Sequence, residues 1–314
     1  MKRSLPPSSA GDFGRRWIDG TLLAAFAKQN TTAHRIFSSP AAWIERFGPD
    51  LLLSYQDELA RDQALAELQA WEETHDFSHR RIFGKFIPRQ NDERAAPEQI
   101  SGESAPLATV VEENGMQFGI DFEAGYSAGL FLDQRANRAL LRTAPAKRLL
   151  NTFAYSCSFS VAAALGGAET VSVDLSRKSL DRGRANFELN RLDPKPHRFL
   201  ADDVLEVLPR LARRGETFDA IILDPPTFSR GNKGRRFQVE QDFQDLVIAA
   251  MELAAERARI LLSTNCLRLS RRALEAIGRF CLKATRRSGD FRAEPALPDI
   301  PAGHGAESLW LLLK

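Results

Sequence analysis

The stretch Ile221-Ile222-Leu223-Asp224-Pro225-Pro226-Thr227-Phe228 is an apolar, strand-like run that stops at an acid, two prolines and an aromatic. Chemistry in open α/β sheets sits at the carboxyl ends of strands, and this cluster has the parts to clamp a flat ring there. Asp224 offers oxygens that only accept when ionised. Pro225 and Pro226 fix the backbone and stop the ladder, which leaves nearby carbonyls free to accept from a planar amine or a purine edge. Phe228 supplies a face for stacking. The plainer alternative is a strand followed by a turn, since Asp and Pro are ordinary turn residues.

Two further acids close strand-like runs upstream. Asp174 ends Val171-Ser172-Val173-Asp174, where an acid can take both hydroxyls of a ribose. Asp202 ends Leu200-Ala201-Asp202 and is placed to hold an adenine amine. Acids after successive strands, beside the turn after the first, fit a cofactor built on adenosine. That first turn, Asn151 to Ser160, lacks G-x-G-x-x-G and therefore lacks a pyrophosphate cradle. S-adenosylmethionine carries an adenosine and no phosphate, so it fits where a nicotinamide dinucleotide does not. Cys266, in Ser263-Thr264-Asn265-Cys266, follows the next strand and would face Asp224 across the site if those two strands are neighbours. A thiolate there would serve cytosine-5 methylation, which needs a covalent adduct to activate the ring carbon; a ring nitrogen needs mainly positioning.

The elements that must position these residues alternate strand and helix, the signature of a mostly parallel sheet covered on both faces. Strands are expected at 148–153, 170–175, 197–202, 219–223, 258–264 and at the end of the chain from Glu307. Helices are expected at 159–165, 177–192, 204–213 and 239–256, with another starting at Ser270, a good capping residue. Upstream, helices are expected at 17–28 and 57–73, strands at 51–55 and 80–87, and a polar connector at 89–106. A hairpin is expected around Asn114-Gly115. The fold class is therefore α/β, a Rossmann-like domain at 126–314 behind a small α+β domain at 1–125.

A chain of 314 residues can hold two such cores. No apolar run reaches membrane-span length, and the start lacks the apolar core of a signal peptide, so a cytoplasmic protein without membrane contact is expected. Three unpatterned cysteines, Cys157, Cys266 and Cys281, argue for reduced thiols and against a disulfide frame or a zinc site. The net charge of +2 is too small to announce a polyanionic partner. Its distribution says more: Arg230, Lys233, Arg235 and Arg236 follow the clamp, and Arg268, Arg271, Arg272 and Arg279 follow the next strand.

Four segments in order, Gly129 to Arg138, Leu150 to Ser156, Val173 to Ser176 and Asp224 to Ser229, resemble the class I S-adenosylmethionine-dependent methyltransferases of bacterial 23S ribosomal RNA, the group with cytosine-5 and guanine-N7 enzymes. The resemblance implies a seven-stranded sheet with an antiparallel last strand, and methyl transfer to an RNA base. It implies that Phe153, Tyr155 and Ser156 line the cofactor, that Asp174 with Leu175 takes the ribose, Asp202 the adenine, and that Gln134 and Arg135 pack over the pocket, Arg135 toward the cofactor's carboxylate. Asp224, Pro225, Pro226 and Phe228 would hold the target base, Asp224 also bordering the cofactor. Thr227 and the Thr-Asn-Cys context of Cys266 look nearer the guanine-N7 domain than the Ser-Cys-Ser context of the cytosine-5 enzymes. The family usually has glycine where this chain has Cys157 and Ser158, and a side chain at Cys157 is expected to narrow the approach to the cofactor. A small-molecule or protein methyltransferase, or a non-catalytic RNA-binding descendant, are the alternatives.

Overall fold

A computed structural model describes residues 15–87, 95–144, 146–230 and 236–314. The chain divides into two compact units, residues 1–115 with 120–128, and 116–119 with 129–314.

In the first unit β1 (Arg16–Trp17), β2 (Ala33–Ser38), β3 (Ala42–Phe47), β4 (Asp50–Tyr55), β5 (Arg81–Phe86) and β6 (Glu98–Gly102) form one sheet in chain order. All neighbours are antiparallel except β4 and β5, which need the crossover helix α2 (Glu58–His75). Helix α1 (Gly20–Lys28) starts at Gly20 rather than at Trp17, because Asp19 caps it by accepting from Leu22 N at 2.8 Å. Asp57 caps α2 in the same way. Phe26, Ile36, Ile44, Leu53, Leu68 and Trp71 pack into the core of this unit. Beneath the β4–β5 pair, the buried Asp50 carboxylate accepts two bonds each from Arg80 and Arg81 at 2.7–3.0 Å. These guanidinium groups hold its carboxyl below the usual range, against a burial that pushes it up. The polar connector expected at 89–106 contains β6, every residue of which is exposed. The turn at Asn114-Gly115 joins β7 (Ala108–Glu113) and β8 (Met116–Asp121), with Asn114 and Gly115 both at positive φ.

The second unit continues with α3 (Arg135–Thr143), β9 (Arg148–Thr152), α4 (Ser158–Leu165), β10 (Glu169–Asp174), α5 (Arg177–Leu189), β11 (Arg198–Ala201), α6 (Val204–Arg213) and β12 (Phe218–Leu223). A short pair follows, β13 (Phe228–Arg230) and β14 (Arg236–Gln238), then α7 (Val239–Met251), β15 (Ala254–Thr264), α8 (Arg271–Ala284), β16 (Gly289–Arg292) and β17 (Glu307–Leu313). Seven strands form a sheet in the order β11-β10-β9-β12-β15-β17-β16, parallel but for β17, which runs against both its neighbours. The order reverses between β9 and β12, which makes the switch point where ligands of open α/β sheets bind. Ile221, Ile222 and Leu223 are wholly buried, as a central strand covered on both faces requires. One face packs Ile221 and Leu223 with Leu150, Ile260 and Leu262 against Phe243, Leu246 and Leu274 from the helices. At roughly 1.5–3 kcal/mol for each large apolar side chain buried, this cluster supplies the rigidity on which the strand ends rest. No helix among the described residues is long and apolar enough to cross a membrane.

Candidate active site

Register places the expected acids on one edge. Val173 pairs with Thr152, Leu223 with Thr152, and Asp174 with Ala201, so Asp174, the last residue of β10, and Asp202 and Asp224, which follow β11 and β12, lie at strand ends of one level.

The loop after β9 is tightly specified. Phe153, Tyr155 and Cys157 all have positive φ, at 52°, 47° and 58°, a conformation that costs a side-chain-bearing residue roughly 1–2 kcal/mol each. Neighbours hold it there. Asp174 Oδ2 accepts from Tyr155 N at 2.9 Å, Ser156 Oγ donates to Gly129 O at 2.6 Å, and Asn186 Nδ2 donates to Ser156 O at 2.9 Å. The side chain of Cys157 does not narrow the site as the sequence suggested. It turns under the loop into the core, where a Cβ built on Gly183 of α5 would lie 2.4 Å from its Sγ. Burial pushes the Cys157 thiol up to about 12, so it stays protonated.

Asp174 accepts one backbone N–H on each oxygen, from Tyr155 and, at 2.8 Å, from Ser176. Each oxygen keeps further acceptor capacity. Burial nevertheless outweighs these bonds and raises its carboxyl above the ordinary value. Leu175 follows as an exposed apolar residue. Asp202 lies on the wall of a cavity of about 370 Å³ with Leu180, Phe199 and Leu200, and its Oδ2 is held by Arg210 at 2.5 Å. A carboxylate with spare acceptors and an exposed Leu175 beside it suit the hydroxyls of a ribose, whereas the cavity at Asp202 is lined also by Arg177, Arg184 and Arg210 and its acid is already held by the last of these.

Asp224 occupies the switch point. Burial pushes its carboxyl up to about 6; a hydrogen bond from Ser263 opposes this, Asp133 adds to it and Arg138 opposes it. After it, Pro225 is buried, Pro226 and Thr227 are exposed, and the Phe228 ring opens β13 largely exposed. The β13–β14 pair carries Arg230 and Arg236 in register; Lys233 and Arg235 lie outside the described residues. Thr227 Oγ1 donates to Asn265 Oδ1 at 2.8 Å, tying the clamp to the segment after β15. Cys266, the next residue, points the other way. Its thiol is buried in the sheet–helix core and donates to Glu240 Oε1 of α7 at 3.4 Å. Arg268, Arg271 and Arg279 form ion pairs with Glu240, Glu307 and Glu275 at the surface.

Gln134 and Arg135 are both buried. Gln134 bonds Ser263 and Asn137, while the Arg135 guanidinium, expected toward the cofactor's carboxylate, pairs with Asp299 in the β16–β17 connection. Sequence reasoning missed Asn137, Ser263, Asn265, Asp299 and Trp310. Asn137 alone had a local signal, three residues after Gln134 on one helical face.

The model of the family described as S-adenosylmethionine-dependent methyltransferase matches residues 62–288. A Bacillus subtilis (strain 168) protein, YwbD, named for ribosomal RNA large subunit methylation, is 40% identical over 169 residues, covering 53% of this chain and 42% of its own length. Ribosomal RNA large subunit methyltransferase I of Escherichia coli (strain K12) is 35% identical over 232 residues, 72% of this chain and 58% of its own. The chain thus spans about half the length of these relatives. The crystal structure of SMU.776, described as a methyltransferase complexed with SAH, superposes with a TM-score of 0.80 at 27% identity, covering 94% of this chain and 78% of that one. The SAM-dependent methyltransferase from Agrobacterium tumefaciens gives 0.69 at 22% identity over 90% of each chain, a likeness of fold. With the sheet order, the strand-end acids and the family match in agreement, the chain belongs to the S-adenosylmethionine-dependent methyltransferase family.

Proposed function

We propose that this protein methylates a base of large-subunit ribosomal RNA in the cytoplasm, at guanine N7 rather than at cytosine C5. When bound, S-adenosylmethionine supplies an electrophilic methyl group on a sulfonium. The residues expected to hold it are Asp174 and Leu175 at the ribose, Asp202 at the purine, and the Phe153–Ser156 loop along its length. Asp224 accepts from a planar N–H of the base, the carbonyls around Pro225 and Pro226 accept from the same edge, and Phe228 stacks on its face. The ring nitrogen brings its own lone pair, so no side chain has to take a proton or form a covalent adduct. Asp224, ionised above about pH 6, also stabilises the positive charge that grows on the purine.

The observation that carries the choice of atom is the opposed facing of Asn265 and Cys266. The amide of Asn265 meets the clamp at Thr227, whereas the Cys266 thiol lies in apolar packing against Glu240. A nucleophile for C5 would need the reverse. The RNA assignment is supported by the names of the relatives and by Arg230 and Arg236 on the pair behind the clamp. Incubation of the protein with S-adenosylmethionine and unmodified large-subunit RNA, then digestion to nucleosides and mass analysis, should yield 7-methylguanosine. Formation of 5-methylcytidine would sink the choice of atom.

A further inference from the structure

Behind Asp224 a file of buried polar side chains runs to β17. Trp310 Nε1 donates to Asn137 Oδ1 at 2.9 Å. Asn137 Nδ2 donates to Gln134 Oε1 at 2.8 Å and to Ser308 Oγ at 3.1 Å. Gln134 Nε2 in turn donates to Ser263 Oγ at 2.8 Å. Pairing of Leu223 with Leu262 sets Asp224 abreast of Ser263, whose hydroxyl favours the ionised form of that carboxyl. Trp310, Asn137, Gln134 and Ser263 are all buried, so water does not substitute for any link.

The direction of the file follows from its first member. An indole N–H only donates, so the Asn137 oxygen must face it. The Asn137 nitrogen then faces the Gln134 oxygen, which turns the Gln134 nitrogen toward Ser263. Ser263 accepts from Gln134 and has one hydrogen left, and the neighbouring carboxylate accepts without donating. We infer that Trp310, Asn137 and Gln134 are positioning residues that fix the polarity of this file, so that the Ser263 hydroxyl hydrogen points at Asp224 and holds its carboxylate aimed at the base. The inference rests on the proposed role of Asp224 for its catalytic meaning, while the file itself stands on the geometry. Other charged groups facing Asp224 are Asp133 before α3, which disfavours its ionisation, and Arg138 on α3, which favours it. None of the three positioning residues is titratable, so their effect is one of hydrogen-bond direction.

The test is a titration of the Asp224 carboxyl by carbon-13 NMR on full-length protein labelled in aspartate, with Asp224→Asn assigning the resonance. Ser263→Ala removes the last donor and should raise the midpoint by roughly one unit. Trp310→Phe and Asn137→Leu, which remove the hydrogen-bonding groups and add no charge, should each raise it by about half as much, because the Ser263 hydrogen is then free to rotate away. Having both variants keeps the test alive if one does not fold. A shift in Ser263→Ala with none in either remote variant would overturn the relay, as would an unmoved midpoint in Ser263→Ala. The pH profile of kcat/KM separates the two claims: midpoints that move without moving the acid limb support the file and remove Asp224 from the role of base acceptor.

Discussion

Gly183→Ala is the perturbation whose consequence can be worked out most fully. A Cβ at that position would lie 2.4 Å from Cys157 Sγ and 2.9 Å from Cys157 Cβ. Ordinary contacts between such atoms are roughly 3.5–4.0 Å, so the overlap exceeds about 1 Å. Cys157 is wholly buried and its loop is pinned by Asp174, Gly129 and Asn186, leaving little room to give way. Overpacking of this kind costs about 1–3 kcal/mol, and the confinement puts Gly183→Ala near the upper end. Cys157→Gly should be nearly neutral, because relief of the left-handed strain, about 1–2 kcal/mol, offsets the lost burial of a small side chain. The double variant should then recover most of the stability, a coupling of about 2 kcal/mol in a urea-unfolding cycle. Additivity within about 0.5 kcal/mol would refute the reasoning. Calorimetry on Cys157→Gly adds a second check: with the thiol turned away from the cofactor face, affinity for S-adenosylmethionine should change by less than about threefold, and a large gain would restore the obstruction expected from sequence.

Asp224→Ala should lower methylation by at least about 100-fold while cofactor binding, measured by calorimetry, changes little; parallel loss of both would move Asp224 into cofactor binding. Cys266→Ala should retain activity within about twofold, and its inactivation would revive the covalent route. The Asp224 carboxyl is raised from 3.8 to about 6, so the folded state binds that proton more tightly than the unfolded chain. Stability from this group therefore falls as pH rises from about 4 to about 6 and stays lower above; Asp224→Asn should raise Tm at pH 8 and lose the advantage at pH 4. Asp50 has the opposite sign: its carboxyl is lowered, so its contribution is present above the unfolded value and lost as pH falls through the folded one. Asp50→Ala leaves the wholly buried Arg81 without its carboxylate partner and should cost the first unit about 3–5 kcal/mol by chemical unfolding.

The central strands were legible because burial on both faces forces continuous apolar runs such as Ile221 to Leu223, and the acids at their ends stand out against them. β6 and β16 were not, because edge strands are held by backbone bonds and need no apolar side chain; Glu98 to Gly102 is exposed throughout. β2 and β3 were missed for another reason. Ala33 to Ser38 is buried at every position yet includes His34 and Arg35, and β3 includes Glu45, which pairs with Arg35 at 3.0 Å, so charge masks the pattern. At the site, the identity and order of the strand-end acids could be read, but the facing of Cys157 and Cys266 could not. Both are decided by helices remote in sequence: Gly183 on α5 opens a hole for one thiol, and Glu240 on α7 receives the other. The file from Trp310 to Ser263 is invisible for the same reason, since it joins residues more than 120 positions apart.

Guanine-N7 transfer to large-subunit RNA is tested most directly by a single product measurement. The purified protein, S-adenosylmethionine carrying a labelled methyl group and unmodified large-subunit RNA are combined, and the labelled nucleoside is identified by mass. Label in 7-methylguanosine, retained in Cys266→Ala and lost in Asp224→Ala, is the predicted result. Label in 5-methylcytidine, lost in Cys266→Ala, would contradict it.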